Sequence, residues 1–524
     1  MTNLLYKSGD DWTEDILTQA WEEIETIARE ELRSTYYKPQ IEIVTAKQML
    51  DAYTSVGMPI YYKHWSYGKE FIYSEKAYKS GQMGLAYEMV INSDPCIAYL
   101  MEENNANVQT MVMAHASIGH SAVFKNNYLF RQHTDASAII DYLNFAKDYV
   151  HKCEEKYGQE EVEHVLDACH SLSIYGVDKY KKPKVLSPSQ EEARALERFE
   201  RELDEYDPVW EKIGKKKKAI IEIQDEPTSE IEPFLESHEN ILYFLEKNAP
   251  HLAGWKREII RIVRKLSQYF SPQRATKVLN EGWASFCHYY IMNRLYEKGL
   301  IDAGSMLEFY SLHAGVIAQR KFNAFNPYKL GFSIFMDIKR LAEGGEWVVE
   351  DQERVWSPIT DEDRKWFPDL VNTDWVEATR YAMENFKDET LILQYLSPKV
   401  ARQLQMFAFN DPDIDADEFT VTEISDEVGF KNLRSKLAAA YAMENLVPDI
   451  QITAVDTKGT RKLIIEHFVK NGKPINIEAA KKVLQYAADL WEYSVVLKTF
   501  EINESGDSVP LNLIALGKYA SKRS

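Results

Sequence analysis

The stretch "MAHASIGHSAVFKNN", Met113 to Asn127, sets His115 and His120 five residues apart among small side chains. Imidazole nitrogens bind zinc, and helical zinc sites take two of them from one helix face, most often four apart, with a third ligand from another helix. On a regular α-helix a separation of five turns the two rings roughly 140° from each other, so both reach one ion only through a π-bulge or a helix break. Gly119, which has no side chain to resist, makes such a distortion cheap.

A third ligand is available in "NEGWASFCH", where Glu281, Ser285 and His288 follow i, i+4, i+7 spacing and project from one side of a helix. Glu281 with His115 and His120 makes a His, His, Glu set with one position left open for water, as in catalytic zinc sites. Zinc is the cofactor this set implies. Ala116 stands where a glutamate often follows the first histidine, so the general base must come from elsewhere; Glu88 and His288 are the catalytic candidates. Glu88, one helical turn from Asn92 in "LAYEMVINSDP", has apolar neighbours that raise a carboxyl pKa on burial, although a buried hydrogen-bonding role fits it as well.

Further polar groups qualify as substrate contacts. Glu163, Asp167 and His170 repeat the i, i+4, i+7 spacing in "VEHVLDACH". They read either as a solvated helix face or, with Glu281, as a carboxylate cage for iron or manganese between bundled helices. Asn126 and Asn127 follow the histidine pair, and His64 lies in the aromatic run "MPIYYKHWSYGKEFIY", which can wall a polar cleft or line the core. "FNPYKLG", Phe325 to Gly331, has the turn chemistry to close the same cleft. His238 lacks the second histidine of HExxH, and His313 and His467 stand alone in amphipathic surroundings; these three are set aside.

Helices must position these groups. Ile16, Ala20, Ile24 and Ile27 recur at helical spacing between Trp12 and Arg33, and the same period runs through 84–92, 107–124, 137–171 and 187–213. A charged, proline-bearing excursion near 179–230 precedes a second helical block from Glu239 to Gly299, in which Pro250 and Pro272 mark helix boundaries. After Pro398 the pattern changes to short β-branched runs, "EFTVTEI", "PDIQITAVD", "RKLIIEHF" and "SVVLKTFEI", with helical stretches at 428–443 and 477–491. The fold class is mostly α. A large helical region, 1–397, is followed by a small α+β domain, 398–524, with an antiparallel sheet.

Composition narrows the function. A formal charge of −20 over 524 residues repels polyanions, so the chain is not expected to bind nucleic acid; the Lys215–Lys218 run sits between acidic segments and reads as a solvated linker. No uncharged run approaches the ~20 apolar residues of a membrane span, and the acidic N-terminus does not resemble a signal peptide, so a cytoplasmic chain is expected. Four scattered cysteines suit a reducing compartment.

Taken together, "HWSYGK", "LAYEMVINSDPC", "GHSAVFKNN", "VEHVLDACH", "TKVLNEGWASFCH", "NPYKLG" and "LWEYSVVLKT" resemble the SpoVR family, named for a stage V sporulation protein, over nearly the whole chain. The resemblance implies a largely helical N-terminal region, a small C-terminal domain, and a link to spore cortex formation in sporulating members. In other bacteria it implies stationary-phase or stress physiology beside an AAA+ serine protein kinase and a von Willebrand A-type protein. Two functions follow as expectations. One is a metal-dependent hydrolase of amide bonds in peptidoglycan-related or peptide substrates, which in a cytoplasmic chain means a precursor or a peptide. The other is a non-catalytic scaffold joining the kinase to its partner.

Overall fold

Amphipathic spacing near the N-terminus resolves into α1, Glu14–Glu30, which buries Ala20, Ile24 and Ile27 and is capped by the Thr13 hydroxyl accepting from the Ile16 amide. The computed structural model describes residues 4–55, 58, 60–79, 88–179, 233–320, 323–350, 353–406, 408–410, 420–422, 427–457, 459–469, 475–502 and 508–517. The excursion beyond Lys179, its Lys215–Lys218 run and the helix expected over 187–213 lie outside the described residues. The chain is mostly helical, and its C-terminal part carries a largely antiparallel sheet. It divides into two compact units, Met1–Asp148 with Tyr269–Leu446, and Tyr149–Gln268 with Val447–Ser524.

In the first unit a three-stranded sheet has the order β1, β3, β2, with β1 at Pro39–Val44, β2 at Glu88–Ile91 and β3 at Cys96–Met101. β1 runs parallel to β3, and β2 antiparallel to it. Of the helix expected over 84–92, residues 84–87 lie outside the described residues and the rest is corrected: Glu88–Ile91 is a strand, in keeping with a short run that ends in two β-branched residues. Glu88 and Asn92 consequently share no helix face, and the Asn92 amide donates to the Thr134 hydroxyl at 3.0 Å.

After β3 the chain enters α2, Ala106–Met113, passes through a π-helical segment, Ala114–His120, and continues as α3, Ser121–Asn126. The π segment packs against α4, Lys277–Glu297, a helix buried almost continuously from Val278 to His288. Helices of this kind, apolar on nearly all sides, occupy domain centres. Two further helices surround it, α5 at Ala303–Val316 and α6 at Pro327–Glu343. Glycines set the approach distances. A methyl at Gly119 would lie 2.5 Å from the Ala284 Cα, one at Gly282 2.4 Å from the Gly331 Cα, and one at Gly331 2.1 Å from the Val278 carbonyl oxygen.

The start of α4 is fixed from a distance. Thr276 gives its own helix no side-chain cap; instead the Asp388 carboxylate accepts from the Val278 and Leu279 amides at 2.9 and 2.8 Å. Pro250 falls between helices Ile241–Asn248 and Gly254–Ala275, as expected, whereas Pro272 lies inside the second of these and ends nothing. Near its other end α6 is locked by a buried ion-pair set: Arg340 donates to Asp337 at 2.7 Å and to both carboxylate oxygens of Asp363 at 2.8 and 3.0 Å. A hairpin, Gly345–Glu350 with Glu353–Pro358, follows α6.

The second unit holds a five-stranded sheet in the order Ser508–Gly517, Val495–Ile502, Leu463–Val469, Asp449–Val455, Pro233–His238. The pair Leu463–Val469 and Val495–Ile502 is parallel, joined by the helix Ile477–Trp491, and the other pairs are antiparallel. The strands at 449–455, 463–469 and 495–502 fall in the β-branched runs read from sequence. The edge strand Pro233–His238 comes from far upstream.

Two outcomes follow. Gly331→Ala forces a carbon into the Val278 carbonyl and should cost about 1–3 kcal/mol, read as a lower denaturant midpoint at unchanged slope. Burial alone would raise the Asp363 carboxyl, but the Arg340 guanidinium and the Thr360 donors outweigh it and hold it at about 2. A depressed acid stabilises fully above its ordinary value of 3.8 and loses that contribution as pH falls through about 2. Between pH ~4 and ~2, Asp363→Asn should therefore lose stability less steeply than the parent in acid titrations followed by circular dichroism.

Candidate metal centre

The π segment answers the spacing of five. Its wider turn sets residues five apart nearly over one another, and the His115 and His120 rings meet at 4.6 Å between centroids, almost perpendicular at 86°. Gly119 serves a second purpose in the same segment, because only a residue without Cβ fits against Ala284 on the helix that carries Glu281.

Glu281 completes the approach. Its Oε2 lies 3.6 Å from His120 Nε2 and 3.8 Å from His115 Nε2, and Glu88 Oε1, on β2, lies 3.6 Å from His115 Nε2. These separations are too long for hydrogen bonds. They are close to the ~3.4 Å between two ligands that make bonds of ~2.1 Å at a tetrahedral angle. His115 Nε2 and Glu281 Oε2 are buried without a hydrogen-bond partner among the described residues, a condition native folds rarely tolerate. One ligand atom each from Glu88, His115 and His120 all fall within 4.8 Å of one another.

The other ring nitrogens are anchored. His120 Nδ1 pairs with Asn280 Oδ1 at 2.8 Å; an amide oxygen only accepts, so His120 carries its proton on Nδ1 and turns a lone pair on Nε2 toward Glu281. His115 Nδ1 meets His288 Nδ1 at 2.8 Å, and His288 Nε2 meets His313 Nδ1 at 2.8 Å. Tyr328, in the first turn of α6, stacks on His115 with 17° between ring planes.

Burial and charge divide the titratable groups. Burial pushes Glu88 up, with the Glu281 charge adding to it. Glu281 is held below its ordinary range although burial opposes this, because His115 and His120 stand beside it. His115 is raised against burial by the two carboxylates, whereas burial lowers His120 and drives His288 far down. Burial, followed by the Glu281 and Glu88 charges, holds the Tyr328 phenol well above its usual range and so protonated.

The chain matches the family described as "SpoVR like protein" over residues 11–446 and the "SpoVR-like C-terminal domain" over 448–501. It belongs to the SpoVR family. It is similar to "Uncharacterized protein YcgB" of Escherichia coli (strain K12), with 46% identity over 505 residues, covering 95% of this chain and 94% of the relative. No solved structure matches it.

The other polar residues singled out in this SpoVR-family sequence have partners of their own. Asn127 is fully buried, caps the next helix at the Leu129 amide and donates to the Met383 and Phe386 carbonyls. Asn126 donates to the Thr35 and Ala122 carbonyls and accepts from the Thr35 hydroxyl. His64 is buried, with Nδ1 2.7 Å from the Ser66 hydroxyl among Tyr61, Tyr62, Trp65 and Tyr67. Glu163, Asp167 and His170 sit on the helix Gln159–Ser171, within the second unit, while Glu281 belongs to the first. All four cysteines are buried and unpaired. Among the described residues no helix is long and apolar enough to cross a membrane.

Three residues at the centre carry no site signal in the sequence. Asn280 stands out in the sequence only as a neighbour of Glu281, Tyr328 only as part of the cleft-closing "FNPYKLG", and His313 only as a lone histidine. Their partners, His120, His288 and His115, lie on other helices 25 or more positions away, beyond the reach of any single helical window. Asn280→Leu strands the His120 Nδ1–H in the core and should cost about 1–3 kcal/mol of stability, measured by urea denaturation.

Proposed function

We propose that this SpoVR-family chain is a metal-dependent hydrolase of amide bonds, in which His115, His120 and Glu281 hold one divalent cation, zinc by the nature of the donors. The observation that carries the reading is the convergence of buried, unpartnered His115 Nε2 and Glu281 Oε2 with His120 Nε2 at 3.6 to 3.8 Å. A cation held there would polarise an amide carbonyl and acidify the attacking water. Glu88, raised by burial and 3.6 Å from His115 Nε2, is placed to take the proton of that water and return it to the leaving amine. The protonated Tyr328 phenol donates to the Glu281 carboxylate and so would help orient that ligand.

The substrate class in this reading is a peptide or a peptidoglycan-related precursor in the cytoplasm, tied to spore cortex formation or to stress physiology. A scaffold for an AAA+ serine protein kinase and a von Willebrand A-type protein is the rival, and it needs no stoichiometric metal. Iron or manganese in place of zinc would point to redox chemistry at the same donors.

Elemental analysis of purified protein reloaded in zinc should return one ion per chain, and none in His120→Ala. Glu88→Gln should keep the zinc and lose amide hydrolysis. A parent chain without bound metal, or His120→Ala with its metal intact, overturns the proposal.

A further inference from the structure

Two imidazoles outside the ligand set stand in line behind His115. His288, on α4, lies 2.8 Å from His115 Nδ1 through its Nδ1 and 2.8 Å from His313 Nδ1 through its Nε2. His313, on α5, is buried, and its Nε2 has no hydrogen-bond partner among the described residues. Aromatic walls hold the rings: Phe309 stands perpendicular to His288 and stacks on His313, and Phe332 meets His313 edge-on at 4.8 Å.

We propose that His288 and His313 are positioning residues that fix which nitrogen of His115 faces the cation, the three rings forming a single-file chain whose hydrogen bonds all point away from the metal centre. The inference rests on the metal-site reading above. Each contact of 2.8 Å holds one proton, since two N–H groups cannot face each other at that distance. With Nε2 of His115 turned to a cation, its proton sits on Nδ1 and is donated to His288 Nδ1. Neutral His288 then bears its proton on Nε2 and donates to His313 Nδ1. His313 must therefore carry its proton on Nε2, the atom left without a partner. Each outer ring accepts at its Nδ1 in this arrangement, so neither is an imidazolium. With a cation on His115 the chain admits only this arrangement, so an acceptor at His313 supports, two hydrogen bonds away, the tautomer that the metal ligand must adopt, as second-layer partners of metal-bound histidines do.

Zinc alone is the probe, in competition with a chromophoric chelator and using the full chain. His313→Leu removes the terminal acceptor, and its zinc affinity should fall about 10–100-fold. His313→Asn, whose side-chain oxygen can occupy the place of Nδ1, should restore most of that loss. In the zinc-loaded parent, nuclear magnetic resonance of isotope-labelled histidine should find the His313 proton on Nε2. Zinc affinity unchanged in His313→Leu, or a His313 proton found on Nδ1, overturns this inference and leaves the metal site standing. Should His313→Leu not fold, the tautomer measurement on the parent decides alone. A parent that binds no zinc defeats the site reading itself, a result distinct from either.

Discussion

The structure turns on one backbone contact, where Gly119 of the π segment meets Ala284 of the central helix with no room for a Cβ between them. A π turn forfeits regular helix geometry and persists where packing or function compensates. Here the widened turn stacks His115 over His120, and the close approach delivers both to the helix that carries Asn280, Glu281 and His288. The glycine pair Gly282 and Gly331 repeats the device on the opposite side of that helix, bringing Tyr328 within stacking distance of His115. Small residues thus decide the geometry of the large polar ones.

Six ionisable side chains in one core, Glu88, Glu281, His115, His120, His288 and His313, would be prohibitive if all were charged. The fold separates them. Against burial, Glu281 is held low by the neighbouring histidines and His115 is held high by the two carboxylates, while burial lowers His120, His288 and His313 and raises Glu88. Unpartnered His115 Nε2 and Glu281 Oε2 lie at the meeting point of these groups.

Much of this was legible in sequence because helices and strands declare themselves by local period. The helix around Ile16 to Ile27, the C-terminal strands and the helix at 477–491 followed directly from spacing. The segment at Glu88 misled, since a run of four residues fits either period, and only pairing with β3 decides in favour of a strand. The spacing of His115 and His120 names the required distortion but not the close packing of Gly119 on Ala284, which comes from a distant helix. His313 was illegible for the same reason: alone in its own helix, it acquires meaning only from His288, 25 positions earlier. That the edge strand Pro233–His238 joins strands beyond residue 448 is likewise a long-range fact.

The distant cap on the central helix bears on the order in which the chain takes shape. Asp388 closes the first turn of Lys277–Glu297, and Asn280 and Glu281 sit within a turn of that closure. As the polypeptide leaves the ribosome, the paired histidines emerge early, the carboxylate that faces them much later, and the residue that anchors the carboxylate's helix later still. Contacts this remote delay maturation. The cluster is therefore an attribute of the whole first unit, and a fragment truncated ahead of residue 388 would leave the start of that helix without its cap.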